Sequence, residues 1–154
     1  MTADDLNTEV RDNLNALKTP PSAHYECDES SDYTTNVTSW SDVDATNLVL
    51  TITTNGGDVF VHFHGIVDNS TSSESTLFNV SVDDDDDADD DGYTGQRGTA
   101  AQAVSFTRLI TGLSAGEHTF KLRWRVTGGT GYIYAGAGTS GYDVHPQFWV
   151  REMS

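Results

Sequence analysis

The chain has 154 residues and is strongly acidic, with 24 acidic against eight basic residues and a formal net charge of −16. This length suits one domain with its own core, and the charge excludes nucleic acid as an expected partner because phosphate would be repelled. The single cysteine, Cys27, excludes an internal disulfide framework. No apolar segment approaches the length of a membrane span, and residues 1–5 lack the basic and apolar regions of a signal peptide. We therefore expect no membrane insertion.

Aspartate makes up 18 of the 24 acidic residues, and the only lysines are Lys18 and Lys121. A self-repelling, lysine-poor acidic surface is typical of halophilic proteins, because short carboxylates hold water and cations in strong salt. The composition therefore favours a salt-loving source. The alternative is an ordinary acidic protein with one Asp-rich loop.

The first 21 residues predict a helix that docks on something. Thr2 and Asp5 have the spacing of a capping box, and Pro20-Pro21 ends the helix. One apolar stripe lies between them at helical spacing, formed by Leu6, Val10, Leu14 and Leu17. An isolated helix of this length is marginal in water, so the stripe must dock on its own domain, a neighbouring subunit or a larger assembly. We predict residues 1–21 as a docking segment and residues 22–154 as a separate domain.

Alternating strands dominate the rest of the chain. From His118 to Val126 every second residue is large and mostly apolar, and the turn 112–116 joins this strand to the one before it, which predicts a hairpin over 104–126. Asn47–Thr54 and Asp58–Val67 flank Asn55-Gly56-Gly57, a second hairpin signal. About eight short strands and no helix after residue 20 predict an all-β fold, a single antiparallel jelly roll or β-sandwich preceded by the helical segment.

Several stretches resemble virion proteins of tailed viruses. LNTEVRDNLNALKT (6–19) resembles the N-terminal segment of many tailed-phage virion proteins. TITTNGGDVFVHF (51–63), FTRLITGLSAGEHTFKLRW (106–124) and FWVRE (148–152) resemble the jelly-roll domains of phage tail fibres and head fibres, which are similar to the trimeric tumour-necrosis-factor-like fold. The sequence departs from that pattern after Val82, where phage relatives have a short Asp-Gly turn. With the acidity, this departure points to a virus of a halophilic archaeon.

The resemblance implies a non-enzymatic structural component of the virion surface, assembled in the host cytoplasm as a homotrimer with the major capsid or other virion proteins as partners. The expected role is a capsid decoration, turret or head fibre. The alternative is a tail fibre with a receptor-binding tip, or a glycan-binding module that recognises host surface glycan. Tyr132, Tyr134 and Tyr142 are the only loop cluster suited to a glycan.

A hydrolase motif is present but in the wrong context. Residues 112–116 match G-x-S-x-G around Ser114, and Asp143 and His145 follow in hydrolase order. This motif works as a strand-to-helix turn in a large α/β sheet, whereas here a strand follows. We therefore expect no catalytic residues and no enzymatic activity.

An Asp-rich loop, 83–91, holds eight aspartates in nine residues and is predicted to be extended and hydrated. Asp87, Asp89 and Asp91 match the start of a calcium loop, but Gly98 stands where its glutamate should be. We expect at most loosely bound calcium, magnesium or sodium, and no cofactor.

Two further groups are candidate interaction residues. His62 and His64 lie on one face of a predicted strand, as metal ligands do, although outward or interface histidines have the same pattern. Lys121, Arg123 and Arg125 share one strand face and would pair with aspartates of the same chain or of a neighbouring subunit. We predict the subunit interface there.

Overall fold

The computed structural model describes residues 2–87 and 91–153, with the backbone alone over 15–18. One helix precedes a body of strands. The elements are α1 (Ala3–Lys18), β1 (Ser22–Glu26), β2 (Tyr33–Thr35), β3 (Ser41–Asp42), β4 (Val49–Asn55), β5 (Val59–Asn69), β6 (Ser75–Val82), β7 (Asp85–Asp86), β8 (Thr94–Arg97), β9 (Gln102–Ile110), β10 (Ala115–Val126), β11 (Gly131–Ile133) and β12 (Gln147–Glu152). Within the described ranges no helix is long and apolar enough to span a bilayer.

The strands form two six-stranded antiparallel sheets that pack face to face. Sheet A has the order β1-β12-β5-β11-β2, with β9 also paired to β5. Sheet B has the order β3-β10-β6-β7, with β4 also paired to β10 and β8 to β6. The predicted fold class, an all-β jelly roll with a short N-terminal helix, is confirmed.

The core between the sheets follows the alternation of the strands. All five large residues predicted to face inward on β10 are buried, from His118 to Val126, and Trp124 is only 2% exposed. Phenylalanines from both sheets meet in the centre, where Phe63 of β5 lies 5.1 Å from Phe78 of β6 between ring centroids. The two sheets therefore share one continuous apolar core.

Both predicted hairpins are wrong, because each tight turn joins strands of different sheets. β4 and β10 pair with each other in sheet B, while β5 and β9 pair in sheet A. The connections β4–β5 and β9–β10 thus cross from sheet to sheet, with Gly56 and Gly112 at positive φ. Strands on either side of such a crossing bury alternate residues in the same core, so alternation and turn glycines look the same as in a hairpin.

A hairpin occurs instead inside the Asp-rich loop, which is not extended throughout. Asp83 and Asp84 both have positive φ, 52° and 74°, as in the two-residue turns that join paired strands. Val82 of β6 then pairs with Asp85 of β7. Aspartate tolerates this left-handed conformation better than most residues, and a run of like residues hides which two form the turn.

A buried carboxylate holds the β4–β5 crossing. Glu152, at the end of β12, is 3% exposed. Its Oε1 accepts hydrogen bonds from the backbone N of Asn55 (2.7 Å) and of Gly57 (2.8 Å), and its Oε2 accepts one from Asn55 Nδ2 (3.0 Å). The last strand thereby fixes a turn almost a hundred residues earlier in the chain.

Candidate interaction surfaces

The helix α1 begins with the predicted capping box. The backbone N of Thr2 donates to Asp5 Oδ2 at 2.8 Å, and the backbone N of Asp5 donates to Thr2 Oγ1 at 3.2 Å. The hydrogen bond from the Thr2 backbone lowers the pKa of the Asp5 carboxyl. The capping-box prediction is confirmed.

The apolar stripe of α1 is exposed. Leu6 is 52% exposed, Val10 48% and Leu14 59%, while the side chain of Leu17 lies outside the described part of the chain. The hydrophobic core cluster of the described chain begins at Cys27, and of the described residues before it only Pro20, after the helix, is buried. The helix therefore presents an apolar surface that its own core does not cover.

The basic residues of β10 are paired within the chain. Lys121 donates to Asp84, Arg123 lies 3.2 Å from Asp42, and the guanidinium of Arg125 lies 5.1 Å from the ring centroid of Trp40. The hydrogen bond to Asp84 raises the pKa of Lys121. For Lys121 and Arg123 the structure shows the pairing with aspartates of the same chain, one of the two pairings that the sequence allowed. A subunit contact through these residues stays a prediction.

His118 connects two turns, a feature that sequence patterns do not reveal. Its Nδ1 lies 2.6 Å from Asp83 Oδ2 in the β6–β7 turn, and its Nε2 lies 2.9 Å from the Ser114 carbonyl oxygen in the β9–β10 turn. Both partners accept hydrogen bonds, so the imidazole satisfies both only when each nitrogen carries a proton. The hydrogen bond to Asp83 accordingly raises the pKa of His118.

The predicted cation-binding aspartates are only partly described. Asp87 pairs with Arg108 at 2.8 Å, Asp91 is exposed, and Asp89 lies outside the described residues. Among the residues that the structure describes, no three His, Cys, Asp or Glu side chains are grouped as metal ligands. Loose cation binding by this loop stays a prediction.

The outward side of sheet A carries few carboxylates along four of its strands. Twelve residues on β1, β12, β5 and β9 form three register rows, which we call the outer face of sheet A. The rows are Ser22–Arg151–Phe60–Leu109, His24–Trp149–His62–Thr107 and Glu26–Gln147–His64–Ser105. The one acidic member, Glu26, lies at a corner and accepts a hydrogen bond from Gln147 Nε2 at 2.6 Å. In a chain of net charge −16 this face is almost free of carboxylates.

His62 and His64 lie side by side in the middle of this face, as predicted for residues two apart on a strand. Their ring centroids are 5.9 Å apart. His62 Nδ1 is hydrogen-bonded to Thr107 Oγ1 at 2.8 Å, and the ring lies 5.1 Å from that of Trp149. Burial, and then the neighbouring His64, lowers the pKa of His62. His64 is exposed.

The tyrosine cluster is arranged around two carboxylates. Tyr134 and Tyr142 stack at 4.5 Å between ring centroids, and Tyr134 donates its hydroxyl hydrogen to Asp68 at 2.9 Å. Asp32 accepts hydrogen bonds from the Ala135 backbone N and from Thr139. Tyr132 pairs with Asp68 across the strands. Tyr142 is 40% exposed, so one aromatic surface in this cluster remains available to a ligand.

The three residues of the hydrolase motif have separate partners. The Ser114 carbonyl accepts a hydrogen bond from Thr54 Oγ1 at 2.8 Å, Asp143 accepts one from the Gly138 backbone N at 3.2 Å, and His145 Nδ1 lies 2.8 Å from the Cys27 carbonyl oxygen. The turn at Ser114 leads into the strand β10. In the described chain no hydrogen bond joins Ser114, Asp143 and His145 to one another.

No protein-family model and no curated protein matches the sequence. Among solved structures, the chain is similar to the Eiger TNF of S. frugiperda, with a TM-score of 0.50 and 12% identity over 88% of this chain and 95% of that one. It is also similar to the PRD1 vertex protein P5, with a TM-score of 0.50 and 9% identity over 88% of this chain and 99% of that one. At these identities the likeness shows the fold alone, an antiparallel jelly roll.

Proposed function

We propose that the protein is a non-enzymatic structural component of a virus particle, displayed on the capsid surface as a decoration, turret or head fibre. The observation that carries the proposal is the exposed apolar stripe of α1, whose described side chains Leu6, Val10 and Leu14 are not covered by the core of the jelly roll. A fold shared with a phage vertex protein supports it. In this proposal the jelly roll is displayed on the capsid surface, and α1 attaches it to the particle.

The partner of α1 is another virion protein, with the major capsid protein the first candidate. A helix of 16 residues is marginal alone, and its capping box stabilises only the first turn. Burying the stripe on a partner would remove the apolar surface of Leu6, Val10 and Leu14 from water, at roughly 25 cal/mol per Å². Attachment therefore stabilises the helix as well as holding the body.

The displayed form is a homo-oligomer, with a trimer favoured, whose copies meet through the outer face of sheet A. Copies of net charge −16 repel one another, and this face brings few carboxylates together on contact. It also offers half-buried apolar side chains, Phe60, Leu109 and Trp149. Lys121 and Arg123 of β10 are already paired with aspartates of their own chain, so we favour the outer face of sheet A over the basic residues of β10 for this contact.

A truncation tests the attachment. Deleting residues 1–21 should leave a folded, still oligomeric body that no longer co-sediments with capsid shells. The double change Leu6→Gln and Leu14→Gln should have the same effect, and Thr8→Gln with Asp12→Asn, on the opposite side of α1, should not. A truncated protein that unfolds would show that the helix belongs to its own core. One that folds as a monomer would make the helix the oligomerisation element.

A single added carboxylate tests the contact between copies. Ser105→Asp places a charge beside His64 on the outer face of sheet A and should reduce the oligomer to monomers in light-scattering measurements. Thr53→Asp adds the same charge on the exposed side of sheet B and should leave the oligomer intact. Equal behaviour of the two variants would exclude this contact.

The second candidate function is recognition of a glycan at the tyrosine cluster, as in a receptor-binding tip. Stacked Tyr134 and Tyr142 beside Asp68 supply an aromatic surface and a carboxylate in one place. A glycan-array signal that Tyr142→Ala abolishes would support this role. If the array shows no signal, glycan recognition is excluded and only the proposed structural role remains.

A further inference from the structure

We infer that His62 and His64 form a two-imidazole chelate for a divalent late first-row transition ion, of the class Zn²⁺, Ni²⁺ or Cu²⁺, on the outer face of sheet A. Both ligands come from one chain, so the inference does not rest on the proposed contact between copies.

The spacing of the two rings fits one ion. Residues two apart on a strand project to the same side, and the two ring centroids are 5.9 Å apart with their planes at 56°. Two imidazoles bound to one zinc ion at ordinary Zn–N lengths have centroids about 5 Å apart. A small rotation of the His64 side chain closes this difference of about 1 Å between the ring centroids. The rotation is possible because His64 is exposed and not packed in the core.

His62 is oriented in advance. Its Nδ1 is engaged by Thr107 Oγ1 at 2.8 Å, and its ring packs beside Trp149. A hydrogen bond at the second ring nitrogen is what fixes the tautomer and direction of a metal-binding histidine. It leaves Nε2 as the nitrogen that binds the ion.

The surroundings select the class of ion. The nearest members of the rows are Gln147, Ser105, Trp149 and Thr107, none of which is acidic. A site with imidazole donors and no carboxylate suits zinc, nickel and copper, and does not suit calcium or magnesium, which take oxygen ligands. The acidic residues elsewhere in the chain raise the local concentration of any cation. The two imidazole ligands determine which of these cations binds.

The chain supplies two ligands, and the rest come from elsewhere. No group of three ligating side chains occurs among the described residues, so water completes the coordination in an isolated chain. Where copies meet through this face, a histidine of a neighbouring copy would supply a further nitrogen ligand.

The test is a titration of the full, metal-free chain with ZnCl₂, NiCl₂ and CuCl₂, in a non-chelating buffer with excess CaCl₂ to saturate the Asp-rich loop. Calorimetry gives the stoichiometry, and quenching of tryptophan fluorescence by Cu²⁺ reports an ion near Trp149. We expect at most one ion per chain, and an affinity at least about 10-fold weaker in His64→Gln, since even losing an outer hydrogen bond to a ligand costs that much. The Trp149→Phe variant should lose most of the quenching but keep the calorimetric signal.

The matched control is His24→Gln, which removes an exposed histidine from the same row as His62 and should bind as the unchanged chain does. His64 is exposed, so its variant should melt normally without metal, which separates binding from folding. Equal affinities of the unchanged chain and His64→Gln would overturn the inference. An equal loss in His24→Gln would also overturn it, because binding would then be a general property of surface histidines. A chain that proves monomeric yet shows the His64-dependent site would contradict the proposed contact and leave the chelate standing.

Discussion

His118 Nδ1 lies 2.6 Å from Asp83 Oδ2, and this contact links the turn of the Asp-rich loop to the strand that runs through the centre of sheet B. Asp83 also accepts a hydrogen bond from the Thr119 backbone N at 2.9 Å. Burial opposes ionisation of Asp83, but these two hydrogen bonds outweigh it, and its pKa is lowered. The pKa of His118 is raised by the same contact.

These opposite shifts predict a pH window for stability. The contact of protonated His118 stabilises the fold fully at a pH below the pKa of histidine in the unfolded chain, about 6.5. This stabilisation is lost as the pH rises through the raised pKa of His118 in the folded chain. The ionised Asp83 carboxylate stabilises the fold fully at a pH above the pKa of aspartate in the unfolded chain, about 3.9. This stabilisation is lost as the pH falls through the lowered pKa of Asp83 in the folded chain. The difference in melting temperature between the unchanged chain and His118→Gln should therefore be largest between about pH 4 and 6.5. His24→Gln serves as the control, and a difference independent of pH would contradict the bridge.

The core predicts unequal effects for two tryptophans. Trp124 is 2% exposed between the sheets, so Trp124→Ala should lower the free energy of unfolding by about 3–5 kcal/mol. Trp149 lies on the outer face of sheet A and is only half-buried, so Trp149→Ala should cost clearly less in the same denaturant titration. Equal losses would mean that the inward and outward sides of the sheets are assigned incorrectly.

The hydrogen bonds of Glu152 predict that removing its carboxylate lowers the free energy of unfolding substantially. In Glu152→Ala three donors of the β4–β5 crossing lose their acceptor, and the free energy of unfolding should fall by more than about 1.5 kcal/mol. Glu117→Ala removes an exposed carboxylate from β10 and should change little. If both variants unfold at the same denaturant concentration, the crossing is not held by Glu152.

The acidic surface predicts a dependence on salt. Carboxylates that repel one another are screened at high ionic strength, so the melting temperature should fall as salt drops from molar to millimolar levels. Sodium and potassium chloride should act alike at equal ionic strength, because screening does not distinguish them. A melting temperature unchanged across that range would remove the support for a salt-loving source.

Sequence patterns predicted what depends on local chemistry. The capping box of Thr2 and Asp5, the inward residues of β10 and the jelly-roll class all follow from spacing, and all are present. The pairing of strands does not follow from spacing, since β9 and β10 share a turn and a core but lie in different sheets. The position of the turn at Asp83-Asp84 was hidden by the identical residues around it.

Contacts between residues that are far apart in the chain could not be predicted from the sequence, for a related reason. Glu152 meets Asn55, and His118 meets Asp83, only because the sheet register brings these positions together. His62 and His64 could be placed on one face from their spacing alone. The hydrogen bond of His62 to Thr107, and the scarcity of carboxylates around the pair, required the order of strands β1, β12, β5 and β9.

The most direct test of the account is the position of the chain on intact particles, determined by cryo-electron microscopy. We expect oligomers of the jelly roll to project from the capsid, with α1 lying against a shell protein through Leu6, Val10 and Leu14 and the copies touching through the outer face of sheet A. Density for the chain on the tail, or an α1 folded back on its own jelly roll, would contradict the capsid-surface role.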